Sequence, residues 1–210
     1  MKFIFKILIT MLMTLGVVFQ AFSKPMTFES RFNRPNCIEK VWAWTVPTEK
    51  EKKFDRDNDP DLYGYRFSCF ADIGATEINE IFNVVKDAVA KNDKEKLAHH
   101  IIYPFTYWVN VDERTEYGNV SPRIAYSKID FINHYDEIVT ADFKEILDCS
   151  DISKFEARDR GSVTLADAFI SFSKQPDYNN DRYFEKYPMR ISEIGPLEER
   201  HKNWITEQCQ

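Results

Sequence analysis

The order of residue periodicities along this chain predicts an α+β fold in which helices pack on one face of a curved antiparallel sheet. In segments 76–103 and 127–147, apolar side chains recur every three or four positions, which is the spacing of helices with one buried face. Segments 162–173 and 187–194 lack that spacing and are β-like. Helices followed by strands are typical of the α+β class.

The first 23 residues have the features of a secretory signal peptide. Lys2 and Lys6 form a positive head, the run 7–22 is almost entirely apolar, and Ala21-Phe22-Ser23 offers small residues for cleavage. The run of about 16 residues is shorter than the roughly 20 that span a bilayer, so we expect cleavage rather than a retained membrane anchor. The expected product is periplasmic or secreted and leaves the membrane after cleavage.

Residues 24–75 predict an irregular extension ahead of the main domain, 76–210. Prolines and a polar loop at 48–61 interrupt any periodicity, and the segment is too short to bury much core alone. A strand through Tyr65-Arg66-Phe67 is the one regular element that we expect there. A disulfide is expected to tie this extension to the domain.

The first predicted helix begins near Thr76, whose hydroxyl is a fair N-cap. A second helix carries Leu97 and Ile101 inward and stops before Pro104, because a proline ring cannot continue a helix. Aromatic and β-branched residues then predict a strand at 105–111.

A second pair of helices follows in the sequence. Ser127 and Asp130 fit a capping box at the start of one helix, and Thr140 is placed to cap the next. Nearer the carboxyl end, the β segment is expected to turn at Ala166-Asp167, and Pro196 opens a final polar helix.

The chain has four cysteines, Cys37, Cys69, Cys149 and Cys209, which in an exported protein indicate disulfides. Four cysteines allow three pairings, and unpaired buried thiols are a further alternative. We favour Cys37–Cys69 with Cys149–Cys209, because each bond would then tie a peripheral segment to the domain. No two cysteines have the CxxC spacing of a redox site or a zinc knuckle.

The charge balance argues against nucleic acid as a partner. The chain carries 28 basic and 34 acidic residues, a net charge of −6. Loss of Lys2 and Lys6 with the signal peptide leaves 26 basic residues and a net charge of −8. No basic patch is visible, whereas neutralisation of phosphates normally dominates nucleic-acid affinity.

An alternating acidic ladder, Asp55, Asp57, Asp59 and Asp61, is the most conspicuous candidate for a metal site. Alternate carboxylates begin the calcium loop of an EF-hand. Here Pro60 stands where that loop has its glycine and Arg66 where it has its bidentate glutamate, so the loop is not an EF-hand. A solvated acidic loop is the favoured interpretation, and no metal or other cofactor is expected.

Two further groups of residues are candidates for a site. Asp130 and His134 lie one helical turn apart and, together with Tyr107, would form an acid–base group if they bordered a hollow. Tyr107 and Trp108 are neighbours on a predicted strand and therefore point to opposite sides of the sheet. Whichever of the two is exposed or faces a pocket is a candidate binding residue.

The middle of the chain resembles a known superfamily. The segments Asp87–Lys94 (DAVAKNDK), Ile102–Phe105 (IYPF) and Phe131–Ile138 (FINHYDEI) resemble exported bacterial domains of the NTF2-like (cystatin-like) superfamily. The resemblance covers residues from about 76 to 195 and implies a cone of sheet and helices around a hollow. Superfamily members use that hollow in enzymes, small-ligand binding and protein contacts, so the fold does not decide the function. Near the carboxyl end, Ala166-Asp167-Ala168 replaces the glycines of such domains and Phe172 replaces a tryptophan.

These observations predict an exported, non-enzymatic binding protein of the bacterial periplasm. Its expected partner is another protein, for which an immunity or inhibitor protein is one concrete version, or a small ligand. The alternative is a small enzyme with an acid–base pocket in an NTF2-like cone, and a structural role in envelope assembly is a third hypothesis. The chain has no nucleophile-elbow, zincin, dinucleotide-binding or P-loop motif, which favours the non-enzymatic interpretation.

Overall fold

The computed structural model describes residues 37–59, 67–159, 161–174 and 188–209 of the chain. The predicted signal peptide, Asp61, and Tyr65 and Arg66 of the predicted strand lie outside these residues, whereas Phe67 begins a π-helical turn instead of ending that strand. Within the ranges given, no helix is both long enough and apolar enough to cross a membrane. The helices are α1 (Cys37–Thr45), α2 (Glu49–Asn58), α3 (Ala75–Ala90), α4 (Lys94–His99), α5 (Lys128–Asn133), α6 (Tyr135–Ile138), α7 (Ala141–Cys149) and α8 (Glu199–Gln208), with a π-helical turn (Phe67–Ala71) and a 3₁₀ turn (Ile152–Lys154). The strands are β1 (Ile101–Thr115), β2 (Gly118–Ala125), β3 (Phe155–Asp159), β4 (Ser162–Leu165), β5 (Ile170–Lys174) and β6 (Met189–Ile194).

The α+β class is confirmed, but the predicted antiparallel sheet is wrong in one pair of strands. The six strands form an open mixed sheet in the order β2-β1-β6-β5-β4-β3, and β1 runs parallel to β6. Residue patterns identify strands without specifying their neighbours. Here the last strand lies between β1 and β5, with Ile101 opposite Ile191 and Phe172 opposite the same Ile191. Among the described residues, the sheet has free edges at β2 and β3 and does not close on itself.

The core forms where the helical periodicity predicted it. Helix α3 buries its apolar stripe, and β1 contributes Phe105 and Tyr107 to the same core. The residues buried along α3 are Ala75, Ile78, Ile81, Phe82, Val85, Ala88 and Val89. Edge-to-face ring contacts connect α3 to the sheet through Phe82 and Phe155 at 5.3 Å. Apolar burial of this extent is the main favourable term in folding.

Two predicted details near α3 and α4 are corrected. The N-cap of α3 is Gly74 rather than Thr76. Ile101 begins β1 instead of extending the second helix, so the strand starts before Pro104. Proline is tolerated there because it lies within the irregular part of the β1–β6 pairing, between Ile101 and Thr106, where a ladder hydrogen bond is not required of it.

The irregular extension predicted for 24–75 is wrong over its described part, which contains α1 and α2. Helix α2 begins with a capping box between Thr48 and Glu51 and carries the ion pair Lys53–Asp57 along its exposed face. These charged i, i+3 and i, i+4 contacts stabilise a helix without an apolar stripe, so apolar periodicity does not reveal it.

The hairpin partner of β1 was also missed. Strand β2 begins at Gly118, directly after a tight turn at Glu116 and Tyr117, and Gly118 has φ of 89°, a conformation that favours glycine. In β2 the buried residue is Ala125, so the alternation that signals a strand is weak. The predicted turn at Ala166-Asp167 is present between β4 and β5, with three successive non-glycine residues in the left-handed region.

Both favoured disulfide pairings are confirmed. Cys37 bonds to Cys69, which ties α1 to the π-helical turn, and Cys149 bonds to Cys209, which ties the end of α7 to the end of α8. Such bonds restrict the unfolded chain and are typical of proteins that fold outside the reducing cytosol.

Candidate functional site

A cavity of about 450 Å³ lies between the second half of β1, helix α6 and the segment that follows β6. We call it the α6 cavity. Apolar side chains from each of these elements line it, including Val109, Ile138 and Leu197. Its volume falls within the range of pockets that hold small ligands.

The mouth of the α6 cavity carries charged side chains. Arg123 of β2, Glu137 of α6 and Asp142 of α7 line the cavity, and among the described residues none of the three has an ion-pair partner. Asp136 also lines the cavity, but it pairs with Lys94 at 3.0 Å. The mouth therefore presents two unpaired carboxylates and one unpaired guanidinium beside apolar walls.

Trp108 contributes an unsatisfied donor to the cavity wall. Its ring packs edge-on against Tyr117 at 5.1 Å, and its indole N–H is buried without an acceptor in the described part of the chain. Buried donors are nearly always hydrogen-bonded, so an unpaired one beside a cavity calls for an explanation.

Tyr107 and Trp108 occupy the alternating positions that the strand predicts. Tyr107 is only 3% exposed and packs near Phe105 and His134, with ring centroids 6.5 and 6.2 Å away. Burial raises the pKa of the Tyr107 hydroxyl, as does the charge of Glu137, while the charge of Arg123 opposes them. The charges of Glu137 and Arg123, which line the cavity, therefore also act on the buried Tyr107 hydroxyl.

The proposed acid–base trio is gathered in one area, with Nδ1 of His134 3.6 Å from a carboxylate oxygen of Asp130, but Asp130 and His134 also contact the backbone. Asp130 accepts a hydrogen bond from the backbone N–H of Tyr126 at 2.8 Å, and the backbone N–H of Asp130 donates to the Ser127 hydroxyl at 3.2 Å. Nδ1 of His134 lies 2.9 Å from the backbone oxygen of Asp130. Neither the α6 cavity nor the groove described below is lined by Tyr107, Asp130 or His134. Their placement gives the acid–base hypothesis no support.

The acidic ladder does not converge on a cation. Successive alternate residues of a helix point about 200° apart, and Asp55, Asp57 and Asp59 accordingly make separate contacts. Asp57 pairs with Lys53, while Asp59 accepts hydrogen bonds from the backbone N–H and the hydroxyl of Ser68. Among the described residues, no group of three or more potential ligands is arranged to hold a metal ion.

Asp55 is instead a buried structural carboxylate, 2% exposed. One oxygen accepts the indole N–H of Trp42 at 2.7 Å and the other accepts the backbone N–H of Thr76 at 2.6 Å. Thr76 lies in the first turn of α3, so Asp55 supplies the cap that Gly74 cannot. A Cβ on Gly74 would come within 3.1 Å of the Asp55 carboxylate, which explains why a residue without a side chain is accommodated there.

A second, more acidic groove of about 360 Å³ borders this junction. Glu51, Glu77 and Glu80 line it together with Val46. Glu77 pairs with the buried Lys174 at 2.8 Å, and burial raises the pKa of its carboxyl group despite that partner. The charge of Glu77 is therefore balanced from within the protein, while Glu51 and Glu80 have no ion-pair partner among the described residues.

The sequence did not single out Arg123, Glu137 or Asp142. They are ordinary surface charges on three different elements, and only the position of β2 beside β1 brings Arg123 to the same mouth as α6 and α7. The one local signal, the aromatic pair at Tyr107 and Trp108, identified the strand that forms a wall of the cavity.

No protein-family model matches this chain, and it has no significant match among curated proteins or solved structures. The function of this chain is therefore inferred from the cavity and its charges.

Proposed function

We propose that this chain is an exported, non-enzymatic binding protein of the bacterial periplasm that takes its ligand into the α6 cavity. One observation carries the proposal: a cavity of ligand-sized volume is lined by apolar side chains together with charged side chains that have no ion-pair partner among the described residues. Folded proteins usually pair or solvate their charges, and charged groups converging on an apolar hollow are the common composition of a binding site.

Two further features support the proposal. Trp108 adds an aromatic side chain to the residues that line the cavity. The two disulfides fit an oxidising compartment outside the cytoplasm. The bound group is a small molecule or one or two side chains of a partner protein, and an immunity or inhibitor protein is the concrete form that the second case takes. The NTF2-like cone is part of this proposal, because that arrangement of helices and sheet would also place a hollow beside α5 and α6.

A matched pair of substitutions tests whether the cavity binds. Asn110 is exposed and lines the cavity, whereas Asn119 is exposed on β2 and does not line it. We expect Asn110→Trp to fill the space and abolish binding of N-phenyl-1-naphthylamine, a neutral apolar fluorescent probe, while Asn119→Trp leaves its affinity unchanged.

Probe fluorescence is titrated on the oxidised protein, with far-ultraviolet circular dichroism to verify that both variants are folded. Absence of probe binding to the unsubstituted protein, or equal loss in both variants, would contradict the proposal.

A further inference from the structure

The charges at the α6 cavity mouth are unequal in number. Glu137 and Asp142 are unpaired acids, while Arg123 is the one unpaired base that lines the cavity. Asp136 adds a third carboxylate, which Lys94 neutralises from outside the cavity lining. The remaining balance at the mouth is negative, in agreement with the net charge of −6 of the whole chain. The negative charge at the mouth and the negative net charge of the chain both attract a cation toward this opening.

The walls exclude a bare metal ion as the intended cation. Divalent metals require several oxygen or nitrogen ligands at about 2.0–2.6 Å around one point. Among the described residues, no cluster of that kind exists, and Val109, Ile138 and Leu197 line the cavity beside its charged groups. These apolar side chains favour an occupant that combines an apolar part with a positive group.

We propose, on the premise that the α6 cavity is the binding site, that its ligand is an apolar organic cation. Its hydrocarbon or aromatic body contacts the cavity walls, and its ammonium or guanidinium group lies at the mouth beside Glu137 and Asp142. The adjoining apolar surface lowers the local dielectric constant and strengthens these charge–charge attractions. The positive charge of Arg123 repels the cation and limits its affinity.

Three compounds with the same apolar body separate charge from shape. They are 4-phenylbutylamine, 4-phenylbutan-1-ol and 4-phenylbutanoate, titrated into the oxidised protein by isothermal titration calorimetry at low salt. We expect the amine to bind about fivefold more tightly than the alcohol, as a charge pair about 4 Å apart near water predicts, and the carboxylate to bind most weakly. Added salt should reduce the advantage of the amine.

The possible results distinguish the inference from its premise. If none of the three compounds binds, the α6 cavity is not a site for ligands of this size and the proposed function fails. If the alcohol or the carboxylate binds as tightly as the amine, the cavity binds ligands but the preference for a cation is wrong.

Substitutions at the mouth give a second test. Glu137→Gln and Asp142→Asn should each weaken the amine about fivefold and leave the alcohol unchanged, whereas Arg123→Gln should strengthen the amine. Glu145→Gln removes an equal charge from the exposed side of α7, away from the cavity, and is the control. If Glu145→Gln weakened amine binding equally, only the net charge of the protein would matter. The proposal that the cation lies beside Glu137 and Asp142 would then be wrong.

Discussion

Two regions of this molecule place carboxylates beside apolar side chains, and they differ in whether those carboxylates have partners. At the junction of α1, α2 and α3, Asp55 is 2% exposed and both of its oxygens accept hydrogen bonds. At the mouth of the α6 cavity, Glu137 and Asp142 are accessible and have no ion-pair partner in the described part of the chain. The first arrangement stabilises the fold, and the second leaves charge available to a ligand.

The difference follows from the cost of burying charge. A carboxylate removed from water is tolerated only when donors replace its hydration, and Asp55 has two such donors from separate elements, Trp42 and Thr76. A carboxylate at a cavity mouth keeps its water until a ligand displaces it. Conspicuous acidic residues in a sequence are therefore not evidence of a site until the partners of each one are known.

The largest expected effect tests the structural half of this comparison. Asp55→Ala removes the acceptor of two buried donors, the Trp42 indole and the Thr76 backbone N–H, and we expect a loss of about 3 kcal/mol in the free energy of unfolding. Asp57→Ala on the same helix removes only an exposed ion pair with Lys53 and should leave stability almost unchanged. Urea unfolding of the oxidised proteins measures both.

If Asp55→Ala lost as little free energy of unfolding as Asp57→Ala, the two ladder residues would not differ. Asp55 could then not be contrasted with the carboxylates of the cavity mouth. A preserved native circular dichroism spectrum at zero urea is the condition for comparing the two variants.

The sequence predicted those parts of the fold that depend on local pattern. The apolar stripe of α3 and the caps at Ser127 and Thr140 are all present. The two disulfide pairings are present as well, although they were a preference among open alternatives. Local periodicity and capping chemistry are contained in a few consecutive residues, so these features are readable before any tertiary structure is known.

The candidate site was much less predictable. The wall residue Trp108 was identified from its strand, but the mouth combines Arg123 with Glu137 and Asp142, which come from three elements. Their proximity depends on strand order and on a hairpin whose second strand has little alternation. Conversely, the acidic ladder has a clear sequence pattern that helix geometry disperses, because α2 turns its alternate residues to different sides.

Substitution of the buried His201 is expected to have an intermediate effect on stability, and this effect depends on pH. His201 is 1% exposed; its Nδ1 accepts the backbone N–H of Glu198 at 2.9 Å, which caps α8. Burial lowers the pKa of His201 below its ordinary value, so the unfolded chain binds this proton more readily. The stability that the neutral ring contributes is fully present above pH about 6.5 and is lost as the pH falls through the lower pKa of the folded state.

His201→Gln isolates this contribution. Glutamine at the third position of a helix can accept the same N–H without titrating, so the variant should keep the cap and lose the decline below pH about 6.5. Each unit by which the pKa of His201 is lowered makes the free energy of unfolding about 1.4 kcal/mol smaller at low pH than above pH about 6.5. Urea unfolding from pH 8 to pH 5 measures the difference between the two proteins. Parallel curves over that range would contradict the assigned protonation state.

The smallest expected effect tests the functional half of the comparison. The double substitution Glu137→Gln with Asp142→Asn removes both unpaired acids from the mouth. Each residue lies in the first turn of its helix, α6 or α7, where a negative charge stabilises the helix slightly, so we expect a loss of only about 0.5 kcal/mol in urea unfolding. Because the amides replace these carboxylates without leaving buried donors unpaired, nothing comparable to the Asp55 junction is broken. A loss of several kcal/mol would instead place Glu137 and Asp142 in the same structural class as Asp55, and the α6 cavity would then lose the unpaired charges on which its assignment as a binding site depends.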